Sequence, residues 1–157
     1  MLKLPRLLPL SLLCFLTACS SKPYEGKSVA ELQQMLQDPS STVQAQGAFG
    51  LSRLGAEARD AVPALIACLQ SETIVRQNAA LALGAIGPDA KEAVPALTKL
   101  LQDPEWTVRR HAALALGEIG PAAQESMPAL SKLKQDHQSL VRKAAEEAIR
   151  RIRGAKS

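Results

Sequence analysis

Aromatic side chains are scarce. Phe15, Tyr24, Phe49 and Trp106 are all that the 157 residues contain, so a core built on stacked rings is excluded. Ala and Leu predominate instead, which suits closely packed helices. Histidine is limited to His111 and His137, and there is no His-x-x-x-His, no His-Glu dipeptide and no closely spaced cysteine pair. The spacings that metal ligation needs are therefore missing. No Ser, Thr or Asp arrangement marks a nucleophile with its base. Catalysis is not expected, nor is a metal or a cofactor. Charge of either sign is also modest, with 19 basic and 15 acidic residues, a net +4. This does not call for nucleic acid.

Long apolar runs are lacking except at the N-terminus. Lys3 and Arg6 precede an almost wholly apolar stretch, Leu7 to Ala18, and Cys19 follows. This is the charge-then-apolar layout of a secretory signal peptide. The stretch is shorter than the ~20 residues that a spanning helix needs, and Pro5 and Pro9 oppose a stable helix there. Leu16-Thr17-Ala18-Cys19 resembles the lipobox of bacterial lipoproteins. The resemblance implies cleavage before Cys19 and lipid, palmitate among it, on the mature cysteine. It implies anchoring to the cell membrane or outer membrane, facing the periplasm or exterior. The alternatives are a plain signal peptide, or an N-terminal anchor, that happens to end in cysteine. Without residues 1–18 the balance is 17 basic to 15 acidic. Ser20 to Lys27, with Pro23 and Gly26 as breakers, reads as a polar tether. Its eight residues span at most ~26–29 Å, which keeps the folded part near the membrane. Cys14 leaves with the leader and Cys19 is committed to lipid. Cys68 is then alone and forms no intramolecular disulfide.

What is abundant is repetition. Ala61-Val62-Pro63-Ala64-Leu65 recurs as Ala93-Val94-Pro95-Ala96-Leu97 and as Ser126-Met127-Pro128-Ala129-Leu130. Val43, Val75, Val108 and Val141 step by 32, 33 and 33 residues. A period of this size predicts a solenoid of stacked units. The units are about 28–60, 61–92, 93–125 and 126–157, after a signal peptide at 1–18 and a lipidated Cys19 with tether at 19–27. Each unit reads as two helices. The first starts at Pro63, Pro95 or Pro128, since proline suits the first helical position. Leu97, Leu100 and Leu101 give it one apolar side. A polar turn such as Asp103-Pro104-Glu105 follows. The second helix carries Val108, Ala112, Leu116 and Ile119 on one face and stops at Gly120-Pro121. Cys68 aligns with Met35, Leu100 and Leu133 and reads as a buried apolar residue.

The motif Val-Arg-x-x-Ala-Ala-x-Ala-Leu-Gly-x-Ile-Gly, at Val75 to Gly87 and again at Val108 to Gly120, resembles the short HEAT repeat of bilin lyases. The resemblance covers residues ~28 to ~153. It implies an all-α fold, a right-handed α-solenoid of four helix-pair repeats with the second helices on the concave side. Unit 1 departs from it at Gln44 and Gly47. The resemblance also implies that Asp103 and Asp136 pair with the following arginine to tie successive units. This competes with reading Arg76, Arg109 and Arg142 as an anion-binding ridge. On the second helix, the positions five, nine and twelve after the valine point toward the next unit. They hold Ala80, Gly84 and Gly87, then Ala113, Gly117 and Gly120, but Glu146, Arg150 and Arg153 in unit 4. Burying those charges would be costly, so they read as a polar cap.

The candidate site lies six residues after each valine, where Phe49, Leu81 and Leu114 stand before Glu147. Polar neighbours rim them: Gln46 and Arg53 in unit 1, Arg110, His111 and Glu118 in unit 3. An apolar strip with a polar rim marks a contact surface. The alternative is that a tightly curved array buries these residues between its own second helices. The expectation is a membrane-anchored, non-catalytic protein-binding scaffold or adaptor at the bacterial cell envelope, a monomer, with an unidentified protein partner. Two alternatives stand beside it: a carrier or chaperone for an apolar ligand in the concave groove, and an enzyme related to HEAT-like lyases or oxidoreductases.

Overall fold

The computed structural model describes residues 22–154. The expected leader and Cys19 lie outside them. The described residues fold as an all-helical solenoid of four helix pairs. The pairs are α1 (Val29–Met35) with α2 (Ser41–Leu54), α3 (Val62–Cys68) with α4 (Thr73–Ile86), α5 (Val94–Leu100) with α6 (Trp106–Ile119), and α7 (Met127–Leu133) with α8 (Ser139–Ile152). The long second helices stack α2 on α4 on α6 on α8 and form the most extensive contacts of the molecule. Among the described residues no helix is long and apolar enough to cross a membrane.

The apolar periodicity becomes a continuous core. Leu65, Leu97 and Leu130 from the first helices and Val75, Val108 and Val141 from the second are fully buried. Cys68 is also buried, as its alignment with Leu100 and Leu133 requires. Burial pushes its thiol pKa up, because a thiolate loses hydration there.

Helix boundaries differ from expectation by small, explicable amounts. α3, α5 and α7 begin one residue before their prolines, which occupy the second helical position. That position also needs no intrahelical donor. The stop at Gly87-Pro88 is real, and Gly87 takes a φ of +74°, a left-handed value that disfavours other residues. The chain does not simply turn there, however. Gly55–Ala61, Gly87–Ala93 and Gly120–Ser126 each coil as a 3-10 segment leading into the next first helix. α1 instead starts from a capping box, with Glu31 Oε2 accepting from the Ser28 N–H at 2.8 Å and Ser28 Oγ accepting from the Glu31 N–H.

Small residues set the spacing of units. A Cβ placed on Gly84 would lie 3.0 Å from Ala115 Cα, and one on Gly117 would lie 2.9 Å from Ala148 Cα. The position nine after the valine thus faces the next unit, where the position seven after its own valine meets it. In unit 4 the corresponding Glu146, Arg150 and Arg153 are exposed.

Paired charges lock the edges of the inner units, with one correction. Arg76 donates from Nε to Asp103 Oδ2 at 2.8 Å and from Nη2 to Asp103 Oδ1 at 3.1 Å. Arg109 holds Asp136 likewise, at 2.7 and 3.1 Å. Each aspartate therefore pairs with the arginine of the preceding unit, not with the one that follows it. The following arginine binds backbone instead, as Arg109 Nη1 does with Asp103 O at 2.8 Å. This geometry explains unit 1. Gln44 keeps the backbone half, donating to Asp38 O at 2.8 Å, and the shorter turn of unit 2 offers Ser71 and Glu72 in place of an aspartate. Arginine and aspartate are absent together at this junction.

The segment read as a tether is folded from Lys22 onward. Lys22 to Lys27 form a turn, and the Tyr24 ring meets Phe49 edge-on with centroids 5.1 Å apart. Gly50 makes room for it, since a Cβ there would lie 2.9 Å from Tyr24 Cβ. The same position holds Ala82, Ala115 and Ala148 in the other units, where Ala115 and Ala148 touch the unit before. In the first unit the Tyr24 turn takes that place and closes the end of the array.

Candidate functional site: the concave groove

The exposed faces of α2, α4 and α6 bring most of the sequence-derived residues into two adjoining recesses. Leu81 and Leu114 line a groove of about 300 Å³ together with His111, Glu118, Ala85 and the small floor residues Gly84 and Ala115. The floor is low because Gly84 has no side chain and Ala115 only a methyl. The packing requirement between units thereby creates the groove. Phe49 lies in a neighbouring recess of about 340 Å³ with Tyr24, Gln46, Ile74 and Asn78. Arg53 stands exposed at the other side of Phe49, beside Tyr24 and Lys27. Arg110 is half-buried and lines neither recess.

Phe49, Leu81 and Leu114 are all half-buried, and of the three only Leu114 packs against the main core. Two residues join the site that sequence reasoning passed over. Ile74, 48% exposed, lines the recess that holds Phe49. Its signal was available in the repeat frame, as an isoleucine at a position where units 1 and 3 carry threonine. Tyr24 had no such signal, because it lies outside the repeat register.

Charge closes the far end of the groove. Glu118 pairs with Arg151, and Arg151 Nε also meets Glu147 Oε1 at 2.6 Å. Glu147, which replaces the apolar residue in unit 4, therefore belongs to an ion-pair cluster that ends the strip. His111 Nδ1 lies 2.7 Å from Thr107 O, consistent with the tautomer that carries its proton there. Burial holds the His111 pKa below the ordinary value. The Thr107 carbonyl opposes that shift and the Arg110 charge adds to it. The imidazole is thus neutral near pH 7 and offers Nε2 as an acceptor. The groove can bind an apolar segment and give it a few polar contacts. Among the described residues no three His, Cys, Asp or Glu side chains converge as metal ligands would.

Comparison with known proteins accords with this architecture. A family model described as HEAT repeats matches residues 29–90 and 63–150. No curated protein matches. Among solved structures, an engineered protein from the Northeast Structural Genomics Consortium is 29% identical, with a TM-score of 0.70 over 81% of this chain and 63% of its own. The complex of CpcE and CpcF of phycocyanin lyase from Nostoc sp. PCC7120 gives 29% identity and a TM-score of 0.68, over 79% of this chain and 52% of that one. The chain thus spans between half and two thirds of the length of these structures.

Proposed function

For a chain that belongs to the HEAT-repeat family, we propose the role of a lipid-anchored, non-catalytic scaffold at the bacterial cell envelope, holding a protein partner in its concave groove. The repeat fold is itself a protein-binding architecture, since stacked units expose an extended concave surface. The observation that carries the reading is the apolar set of half-buried Phe49, Leu81 and Leu114 with exposed Ile74, rimmed by Gln46, Asn78, His111 and Glu118. A surface of that chemistry fits the apolar face of a helix or extended segment, with polar groups to fix its register. The resemblance of the phycocyanin lyase subunits, solved as a complex of two chains, favours pairing with another protein. The anchor is assigned to Cys19 by the lipobox resemblance, a few residues before Lys22, the first of the described residues.

Two experiments test the two halves. Replacing Phe49, Leu81 and Leu114 together with serine abolishes capture of the partner identified by cross-linking to the wild-type chain, while helicity is kept. A folded triple variant that still captures the same partner removes the groove from the binding site. Cys19→Ser eliminates incorporation of labelled palmitate and releases the protein from membranes. Equal label in variant and wild type refutes the anchor. If native mass spectrometry of the purified chain instead finds a bound acyl chain that the triple variant loses, the groove is a lipid carrier.

A further inference from the structure

The two junctions that carry an arginine, between units 2 and 3 and between units 3 and 4, use it in two halves. The Nη1 group binds backbone carbonyls of its own unit, at 2.7 Å to Ser71 O for Arg76 and at 2.8 and 2.9 Å to Asp103 O and Pro104 O for Arg109. The guanidinium is thereby fixed, and its Nε/Nη2 edge projects to the next unit and grips an aspartate there. Arg142 keeps the first half. Its Nη1 donates to Asp136 O at 2.8 Å and to His137 O at 3.1 Å. Its Nε and Nη2 have no partner among the described residues. Residues 1–21 and 155–157 contain no Asp or Glu.

The surroundings of Arg142 carry the same sign. Residues 126–154 hold seven basic and three acidic side chains, a net +4. Of the three acids, Asp136 is taken by Arg109, and Glu147 by Arg150 and Arg151. Only Glu146 is left to offset Lys132, Lys134, Arg142, Lys143 and Arg153, none of which has an ion-pair partner among the described residues.

We propose that this end of the array docks an acidic segment of a partner protein, with one Asp or Glu carboxylate seated bidentately on the Nε/Nη2 edge of Arg142. The two inner clamps provide the template, since the same edge, held by the same type of backbone contact, receives a carboxylate each time. A fork of this kind recognises planar carboxylate geometry as well as charge. The site is separate from the concave groove and does not depend on it or on Cys19.

The test uses the full-length chain and a fluorescein-labelled peptide of about ten residues rich in Asp and Glu. Anisotropy gives the affinity. Arg142→Lys keeps the charge and loses the fork, so binding weakens at least about tenfold, while Lys143→Gln changes it by less. Side-chain Nε spectra of the wild-type chain show the Arg142 resonance shifting to saturation with the peptide, which keeps the test valid if the lysine variant is less stable. Equal affinity of Arg142→Lys and wild type, with no selective Arg142 shift, overturns the proposal in favour of diffuse charge. Binding to phosphatidylglycerol vesicles that exceeds peptide binding and needs Arg142 overturns it in favour of a membrane contact. Self-association that Asp38→Asn abolishes overturns it in favour of a second copy.

Discussion

Arg109 grips Asp136 with Nε to Oδ2 at 2.7 Å and Nη2 to Oδ1 at 3.1 Å, across the junction of the third and fourth units. Asp136 also accepts from the Gln138 N–H at 2.8 Å. The Arg109 hydrogen bonds, with the Gln138 N–H adding to them, hold the Asp136 carboxyl below its ordinary pKa. A depressed folded-state pKa stabilises the protein above the unfolded value, ~3.9 for Asp, and that stability is lost as pH falls through the folded value. Arg109→Ala therefore costs about 1.5–3 kcal/mol at pH 7. The cost shrinks below about pH 4 as Asp136 protonates. Urea unfolding at pH 7 and pH 3 checks both. The same change at Gln44 costs less, because Gln44 has only its backbone contact to lose.

Gly84→Ala and Gly117→Ala test the spacing of units. Each new methyl would lie about 3 Å from a backbone Cα of the next unit, and backbone yields less readily than a flexible side chain. Overpacking of this kind costs about 1–3 kcal/mol. Thermal unfolding monitored by circular dichroism shows it, with Gly117→Ala at least as destabilised as Gly84→Ala because its contact is the closer.

Thr98 and Ser126 give an asymmetric pair. Ser126 is fully buried, and its Oγ lies 2.7 Å from Thr98 Oγ1, which also lies 2.7 Å from Val94 O. Ser126→Ala leaves Thr98 bonded to Val94 and places at 126 the alanine that stands at 61 and 93. It changes stability by less than about 1 kcal/mol. Thr98→Val strands the buried Ser126 hydroxyl and costs about 1–3 kcal/mol. Doubly substituted protein recovers most of that loss, which a double-mutant cycle in urea reads directly.

The legible part of this chain was what repeats. Each periodic position recurs three or four times, so Val75, Val108 and Val141 identify a buried column, and Gly84 and Gly117 a close approach, by their period alone. What escaped was what occurs once. Tyr24 caps the array from a stretch with breakers at Pro23 and Gly26, and composition there reads as linker. The pairing direction of Asp103 was also hidden. Arg76 and Arg109 stand 27 and six residues from it, and only the stacking of units shows that the distant one takes the carboxylate. The 3-10 segments escaped because seven residues bounded by Gly-Pro look like a turn. The groove was half-legible, with Phe49, Leu81 and Leu114 found by position while their recesses depend on the missing side chains beneath them.

His111 makes the groove sensitive to pH. Its folded-state pKa lies below the ordinary value, so the unfolded chain takes up a proton more readily. Stability is complete above the unfolded value, ~6.5, and declines as pH falls from there toward the folded value. His111→Gln removes this part of the pH dependence. Thermal midpoints measured between pH 7.5 and 5 for variant and wild type converge or cross accordingly; parallel curves contradict the assignment.

The residues of the apolar strip are not equivalent. Fully burying a large apolar side chain stabilises by about 1.5–3 kcal/mol, so a half-buried one contributes about half of that. Leu114 touches the core and Leu81 does not, so Leu114→Ser costs more than Leu81→Ser. Leu81→Ser stays at the low end of that halved range, below about 1 kcal/mol. Phe49→Ser falls between them, since it gives up the edge-on contact with Tyr24, a pair of the kind worth about 0.5–1.5 kcal/mol. Adding Tyr24→Ala to Phe49→Ser then costs little more through that contact. Chemical unfolding of the three single variants and this double variant gives the order. Losses of about 2–5 kcal/mol at each of the three positions, as for core truncations, would return Phe49, Leu81 and Leu114 to the packing of the solenoid and leave the concave face without an apolar ligand surface. Small losses combined with failure to capture a partner leave the groove as the place where this protein makes its contact.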